Sequence, residues 1–148
     1  MNFIIKSIAT VFGIGYFPLA PGTISSLFCL VFFWFAPEFP VHLWVIVIVV
    51  LFFLGVWVST EAEKIWNLSD PSFIVIDEFV GQLITIFAFQ KKISVVVGAF
   101  ILFRFFDVIK CGPMRYSEKL RNGWGVMMDD VIAGMIGHVI LRCILFLV

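Results

Sequence analysis

Charge is what this chain has little of. Charged residues fill 14% of its 148 positions, against about 25% in ordinary soluble domains. Ten Lys and Arg balance ten Asp and Glu, so no basic excess points to a nucleic-acid partner. Cysteine is scarce as well. Cys29, Cys111 and Cys143 are odd in number and widely spaced, with no CxxC or Cys/His pattern for zinc. Cys29 and Cys143 read as small apolar side chains inside helices. No internal repeat and no low-complexity tract is visible. The first residues, Met1–Gly22, carry one lysine and lack a small-x-small cleavage site. An interfacial helix over Asn2–Phe12 is therefore expected in place of a cleaved signal peptide.

What is there is apolar. Hydrophobic residues make up 62% of the chain, with 19 Phe, and the mean hydropathy is +1.13. Soluble domains hold roughly 45–50% apolar residues, so the composition implies an integral membrane protein. The length allows one domain, residues 1–148. Turn and charge signals cut it into apolar segments: Ile24–Ala36, Val41–Val58, Phe73–Phe89, Ile93–Ile109 and Val126–Val148. A membrane-spanning helix needs about 20 residues, with a range of roughly 17–25. Ile24–Ala36 is short alone, and is either a half-span or begins nearer Tyr16. The predicted fold is all-α: a polytopic membrane helix bundle of four or five apolar segments with an N-terminal interfacial helix.

If all five segments cross, the connections alternate between two sides. One side takes the N-terminus and the loops Ser59–Ser72 and Lys110–Gly125, with Lys6, Lys64, Lys110, Arg115, Lys119 and Arg121. The other has Lys91 and Lys92 as its loop cations. The positive-inside rule puts the first side in the cytoplasm. The same alternation sorts the acids. Asp77 and Glu78 follow the first loop, Asp107 precedes the second, and Asp129 and Asp130 come just after it. Each costs about 2.5–3.5 kcal/mol near the centre of a membrane helix. Five acids gathered at one plane suggest a metal-dependent site at a membrane surface.

Each constellation has a plainer reading beside the functional one. Asp77 and Gly81 share a helix face, so another backbone has room beside the acid. Asp77 and Glu78 suit a hard cation such as Mg²⁺, or are simply acids at a helix start. Arg104 and Asp107 share a face at i,i+3, with Lys110 one turn on. They are fit for an anionic phosphate beside a metal, or are a structural ion pair with a snorkelling lysine. Adjacent Asp129 and Asp130 repel unless a cation or proton lies between them. Asp130, Gly134 and His138 form one stripe with Gly137 beside it, and His138 reads as a packed, hydrogen-bonded histidine. Thr23 is expected to cap a helix whose first N–H groups, near Gly22 and Thr23, make an anion site.

In order and spacing these motifs resemble the phosphatidylglycerophosphatase A family of small bacterial inner-membrane lipid phosphatases. The matching stretches are Phe12-Gly13-Ile14-Gly15 with Pro18 and Pro21-Gly22-Thr23, then Ile76-Asp77-Glu78-Phe79-Val80-Gly81-Gln82. Phe103-Arg104-Phe105-Phe106-Asp107 through Lys110 and Pro113 follows, and Gly123-Trp124-Gly125, Asp129-Asp130 and Ala133-Gly134 close the series. They span roughly residues 12–135. Two departures stand out: Cys111 replaces the family's first proline after Lys110, and Ser25 stands where a second glycine is frequent.

The resemblance implies hydrolysis of the terminal phosphomonoester of phosphatidylglycerophosphate, with Mg²⁺ as cofactor and a membrane phospholipid as substrate. Catalytic work would fall to Asp77, Glu78, Asp107, Asp129 and Asp130, with Asp77, Glu78, Asp129 and Asp130 as metal ligands. Arg104, Lys110, Gly22 and Thr23 would bind the substrate phosphate. The nucleophile is either metal-activated water or one aspartate. The expected location is the inner membrane, multi-pass, with the site on the cytoplasmic face. Rival readings are a CDP-alcohol phosphatidyltransferase-like enzyme, a small transporter or channel with an acidic ion path, and an accessory subunit of a membrane complex. The first wants an aspartate spacing that Asp129-Asp130 lacks, and the second favours charges at mid-membrane and inverted repeats. Oligomeric state is left open.

Overall fold

The computed structural model describes residues 2–109, 120 and 122–147. Among these the protein is all-helical, with six α-helices and no strand. They are α1 (Asn2–Ala9), α2 (Pro21–Phe35), α3 (Val41–Trp66), α4 (Ile76–Ile86), α5 (Ile93–Ile109) and α6 (Gly123–Leu147), with a 3₁₀ turn at Ile14–Tyr16.

The N-terminal helix ends earlier than expected, at Ala9. The Thr10 hydroxyl donates to the Lys6 carbonyl at 2.8 Å and accepts from the Gly13 N–H at 3.1 Å. Those bonds replace the next helical turn, and Val11, Phe12 and Gly13 pass through left-handed backbone. Phe3 and Phe12 project outward, 83% and 80% exposed, while Ile5 is buried. The Val75 N–H then bonds the Ala9 carbonyl, and Ser25 Oγ donates to the Val75 carbonyl at 2.7 Å. Two elements from the first 35 residues thus pin the start of α4.

Helices α2 to α6 run alternately between two ends. One end brings together the starts of α2, α4 and α6 with the close of α5. The other joins the turn at Pro37–Pro40 to residues 88–91, where the Lys91 ammonium donates to the Ala36 carbonyl.

The number of spanning helices differs from expectation. Among the described residues two helices, α3 with 26 residues and α6 with 25, are long and apolar enough to cross a membrane, against the four or five apolar segments predicted. At 1.5 Å per residue they reach about 39 and 37 Å, beyond a hydrocarbon core of about 30 Å. By contrast α4 has 11 residues, about 16 Å. Phe87 ends it in extended backbone and Ala88 turns left-handed. Every residue from Phe79 to Ile86 is buried. Its apolar character serves protein packing on all sides, which a run of hydrophobic letters cannot distinguish from lipid exposure.

Helices α4 and α6 approach closely. A Cβ on Gly81 would lie 2.7 Å from the Asp130 carbonyl oxygen, and one on Gly134 would collide with the Gly81 carbonyl. Mutual glycines let the two backbones touch, as small residues do in membrane helix pairs. Thr85 Oγ1 donates to the Gly81 carbonyl at 3.0 Å and lies 3.4 Å from that of Gly134. This pairing sets Asp130 beside Asp77.

Candidate active site

Four helix ends and one loop enclose a cavity of about 410 Å³. The start of α4 contributes Asp77 and Glu78, the last turns of α5 Arg104 and Asp107, and the first turns of α6 Asp129 and Asp130. The start of α2 lies against them with Ala20, Pro21 and Gly22. All five acids singled out in the sequence, with Arg104 and Gly22, are therefore brought to one place.

At the centre, Asp77, Glu78 and Asp130 each present a carboxylate oxygen, the three lying within 4.8 Å of one another. Asp77 Oδ1, Glu78 Oε2 and Asp130 Oδ2 are buried without a hydrogen-bond partner among the described residues. Asp77 lies in the field of Glu78, Asp130 and Asp129, and Asp130 in that of Asp107, Glu78 and Asp129. Arg104 makes an ion pair with Asp107, both side chains largely buried, and also faces Glu78. Asp129 lies beside the central three, 8% exposed, and lines both this cavity and an adjoining one of about 140 Å³.

Charge counting says what the cavity can hold. Six acids line it against Arg104 as the one described cation, a formal excess of five negative charges. A phosphate dianion would be repelled from such a site. Buried carboxylates this close cannot all stay charged without a compensating cation or protons. Three convergent oxygens with free lone pairs suit a hard divalent cation, which takes carboxylates and leaves positions for water or phosphate. The residues present fit Mg²⁺.

Two sequence expectations need correction or qualification. Thr23 does not cap α2 and is not among the residues lining the cavity. Proline at the first helical position, with its fixed φ, starts the helix at Pro21, so Thr23 falls inside the first turn. Gly22 takes the contact instead: a Cβ there would overlap the Glu78 carboxylate. Lys110 lies outside the described residues.

The structure adds residues that pattern reading passed over. Asp70 and Ser72 line the cavity from the α3–α4 loop. The Asp70 N–H bonds Glu63 Oε1 at 2.8 Å, and its backbone is left-handed. The signal available was an acid in the loop leading to Asp77; it carried no helical spacing to mark it. Gln82, one turn beyond Glu78, is fully buried with both amide atoms unbonded among the described residues. His138 is packed as expected: it stacks on Phe87, donates from Nδ1 to the Ile84 carbonyl at 3.1 Å, and is absent from the cavity lining.

Residues 7–145 match the family described as Phosphatidylglycerophosphatase A. A phosphatidylglycerophosphatase A of Escherichia coli is 33% identical, covering 90% of this chain and 79% of its own. One of Haemophilus influenzae is 35% identical, covering 95% and 88%. A Bacteroides thetaiotaomicron protein, named provisionally as a phosphatidylinositol-3-phosphatase, is 38% identical over 95% of this chain and 92% of its own. No solved structure matches. The match runs across nearly the whole length: the chain belongs to the phosphatidylglycerophosphatase A family and is a lipid phosphatase of that type.

Proposed function

We propose that this protein hydrolyses phosphatidylglycerophosphate to phosphatidylglycerol and inorganic phosphate, with Mg²⁺, as a step of phospholipid synthesis at the bacterial inner membrane. The observation that carries the metal requirement is the trio Asp77, Glu78 and Asp130, whose oxygens converge within 4.8 Å in a cavity of strong negative excess. The membrane placement is supported by α3 and α6, long enough and apolar enough to cross. In this reading the carboxylate end faces the cytoplasm, as the loop cations favour. Lipid tails then stay in the bilayer while the phosphate reaches the headgroup plane.

Asp77, Glu78 and Asp130 would hold the metal, which when bound neutralises phosphate charge and polarises P–O bonds. Arg104 directs its fork at a non-bridging phosphate oxygen, and Asp107 keeps the guanidinium in place. The first turn of α2, at Gly22, offers backbone N–H groups to the same phosphate. Asp129, at the junction of the two cavities, takes a proton from water as the water oxygen bonds to phosphorus. The P–O bond to the glycerol oxygen breaks, and that oxygen leaves as a hydroxyl after accepting the proton.

A second reading concerns the headgroup alone. The Bacteroides relative is named for a phosphoinositide substrate, and the same cavity chemistry would serve a phosphomonoester on inositol. The test is phosphate release by purified protein from phosphatidylglycerophosphate, phosphatidylinositol 3-phosphate, phosphatidic acid and a soluble phosphomonoester. The expected result is preference for the first, loss with a chelator and recovery with Mg²⁺. Preference for the phosphoinositide would replace the headgroup assignment. Full activity in chelator would remove the metal.

A further inference from the structure

The end of the molecule remote from the carboxylates holds a second polar cavity, of about 540 Å³. Gln90 and Lys92 from the α4–α5 turn, Ser94 at the start of α5, and Arg142, Leu145 and Phe146 of α6 line it. Arg142 lies twelve residues beyond Asp130 on the same helix, about 18 Å along its axis. This is a separate site at the opposite end of the bundle.

Its charge has the opposite sign. Lys92 and Arg142 line it, and no Asp or Glu does among the described residues. Arg142 is oriented: its Nε donates to His138 Nε2 at 3.4 Å, its Nη2 reaches the Ala88 carbonyl at 3.5 Å, and its guanidinium lies 4.7 Å from the centre of the Phe89 ring. Those contacts use two of its five N–H donors. The two neighbouring lysines differ. Lys91 is tied to the Ala36 carbonyl and lies over Phe33, whereas the Lys92 ammonium has no hydrogen bond or ion pair among the described residues. Gln90 and Ser94 add neutral hydrogen-bonding groups on the same wall.

An apolar collar adjoins these cations. Phe146 is 91% exposed, and Ile93, Leu145 and Leu147 are exposed beside it. A cation pair bordered by exposed aliphatic and aromatic side chains matches a ligand that is anionic at one end and hydrocarbon at the other. Basic pockets between membrane helices bind lipid headgroups by this combination.

We propose that Lys92 and Arg142 form a binding site for the phosphate of an anionic phospholipid, on the membrane face opposite the carboxylates, with acyl chains along Leu145 and Phe146. The inference rests on the membrane placement given above. That placement has its own check: protein released from membranes by alkaline carbonate would overturn it without any lipid measurement.

The site is tested by lipid retention, using full-length protein in detergent micelles doped with phosphatidylglycerol, with phosphatidylcholine or with inorganic phosphate, read by native mass spectrometry. Wild type should retain phosphatidylglycerol over phosphatidylcholine. Lys92→Gln should cut that preference roughly fivefold, and Lys92→Glu should abolish it. The backbone bonds of Lys92 are kept in both variants and its ammonium has no partner among the described residues, so phosphate release at the carboxylate end should be unchanged. Arg142→Lys, keeping charge but losing the fork, should weaken retention less than Lys92→Glu. Equal retention of the two lipids by wild type, or undiminished preference in both Lys92 variants, would overturn the site. Displacement of the lipid by millimolar inorganic phosphate would overturn its lipid character.

Discussion

Asp130 is 3% exposed and shares its surroundings with Asp77, Glu78, Asp107 and Asp129. Nothing in ordinary folding favours such a gathering, because each charge loses its water and meets its own sign. Asp130→Asn should therefore leave the protein as stable as wild type, or raise its melting temperature, since one repulsive charge is gone. Phosphate release should fall at least roughly 100-fold, because even outer-shell partners of a metal cost about 10–100-fold when lost. Asp129→Asn should lower release comparably while leaving Mg²⁺ protection against thermal unfolding largely intact, if Asp129 has the proposed role of taking the proton and stays outside the metal trio. Near-normal turnover in both variants would sink the assignment. At this scale the sequence was informative about the acids, which stand out as polar letters in apolar runs. It was silent on Asp70, whose role arises from a loop with no periodicity, and misleading on Thr23, where the proline two positions earlier takes precedence.

Helix α4 shows what one element contributes. Eleven residues carry two site acids, a glycine against α6 and an amide buried without a hydrogen bond among the described residues. Its contact with α6 depends on backbone meeting backbone, where neither side has a rotamer to adjust. Gly134→Ala places a methyl against the Gly81 carbonyl, and overpacking of this kind costs about 1–3 kcal/mol. The expected result is a lower melting temperature together with reduced Mg²⁺ protection, because Asp130 moves away from Asp77. Gly98→Ala is the control: its added methyl lies 3.3 Å from the flexible end of Leu141, and it should melt within a few degrees of wild type. Equal stability of the two variants would show that the α4–α6 approach is slack. The sequence placed Gly81 and Gly134 on the correct faces by spacing; that the two glycines face each other depends on packing.

For the whole molecule, the alternation of helices separates an acidic end from a basic one. In a membrane the two ends should be reachable from opposite sides. With the three cysteines replaced by alanine, Leu68→Cys in the α3–α4 loop and Glu38→Cys at the far turn report on them. A membrane-impermeant thiol reagent should label Glu38→Cys in intact spheroplasts and Leu68→Cys only after the membrane is opened. Labelling of both from one side would overturn the crossing of α3.

The sequence by itself determined the chemistry available: apolar surroundings, a small set of acids, one guanidinium beside them and the family to which the pattern belongs. Those follow from composition and from spacing within single helices, which local geometry fixes. Tertiary structure decided which apolar runs are buried among other helices and which stay exposed on the outside of the bundle, because a run of hydrophobic letters reads the same in either setting. It also decided that Asp77, Glu78 and Asp130 converge within 4.8 Å, and that Lys92 and Arg142 line one cavity at the far end. Residues some fifty positions apart acquire a distance only when helices pack, and here two facing glycines set that packing for the acids.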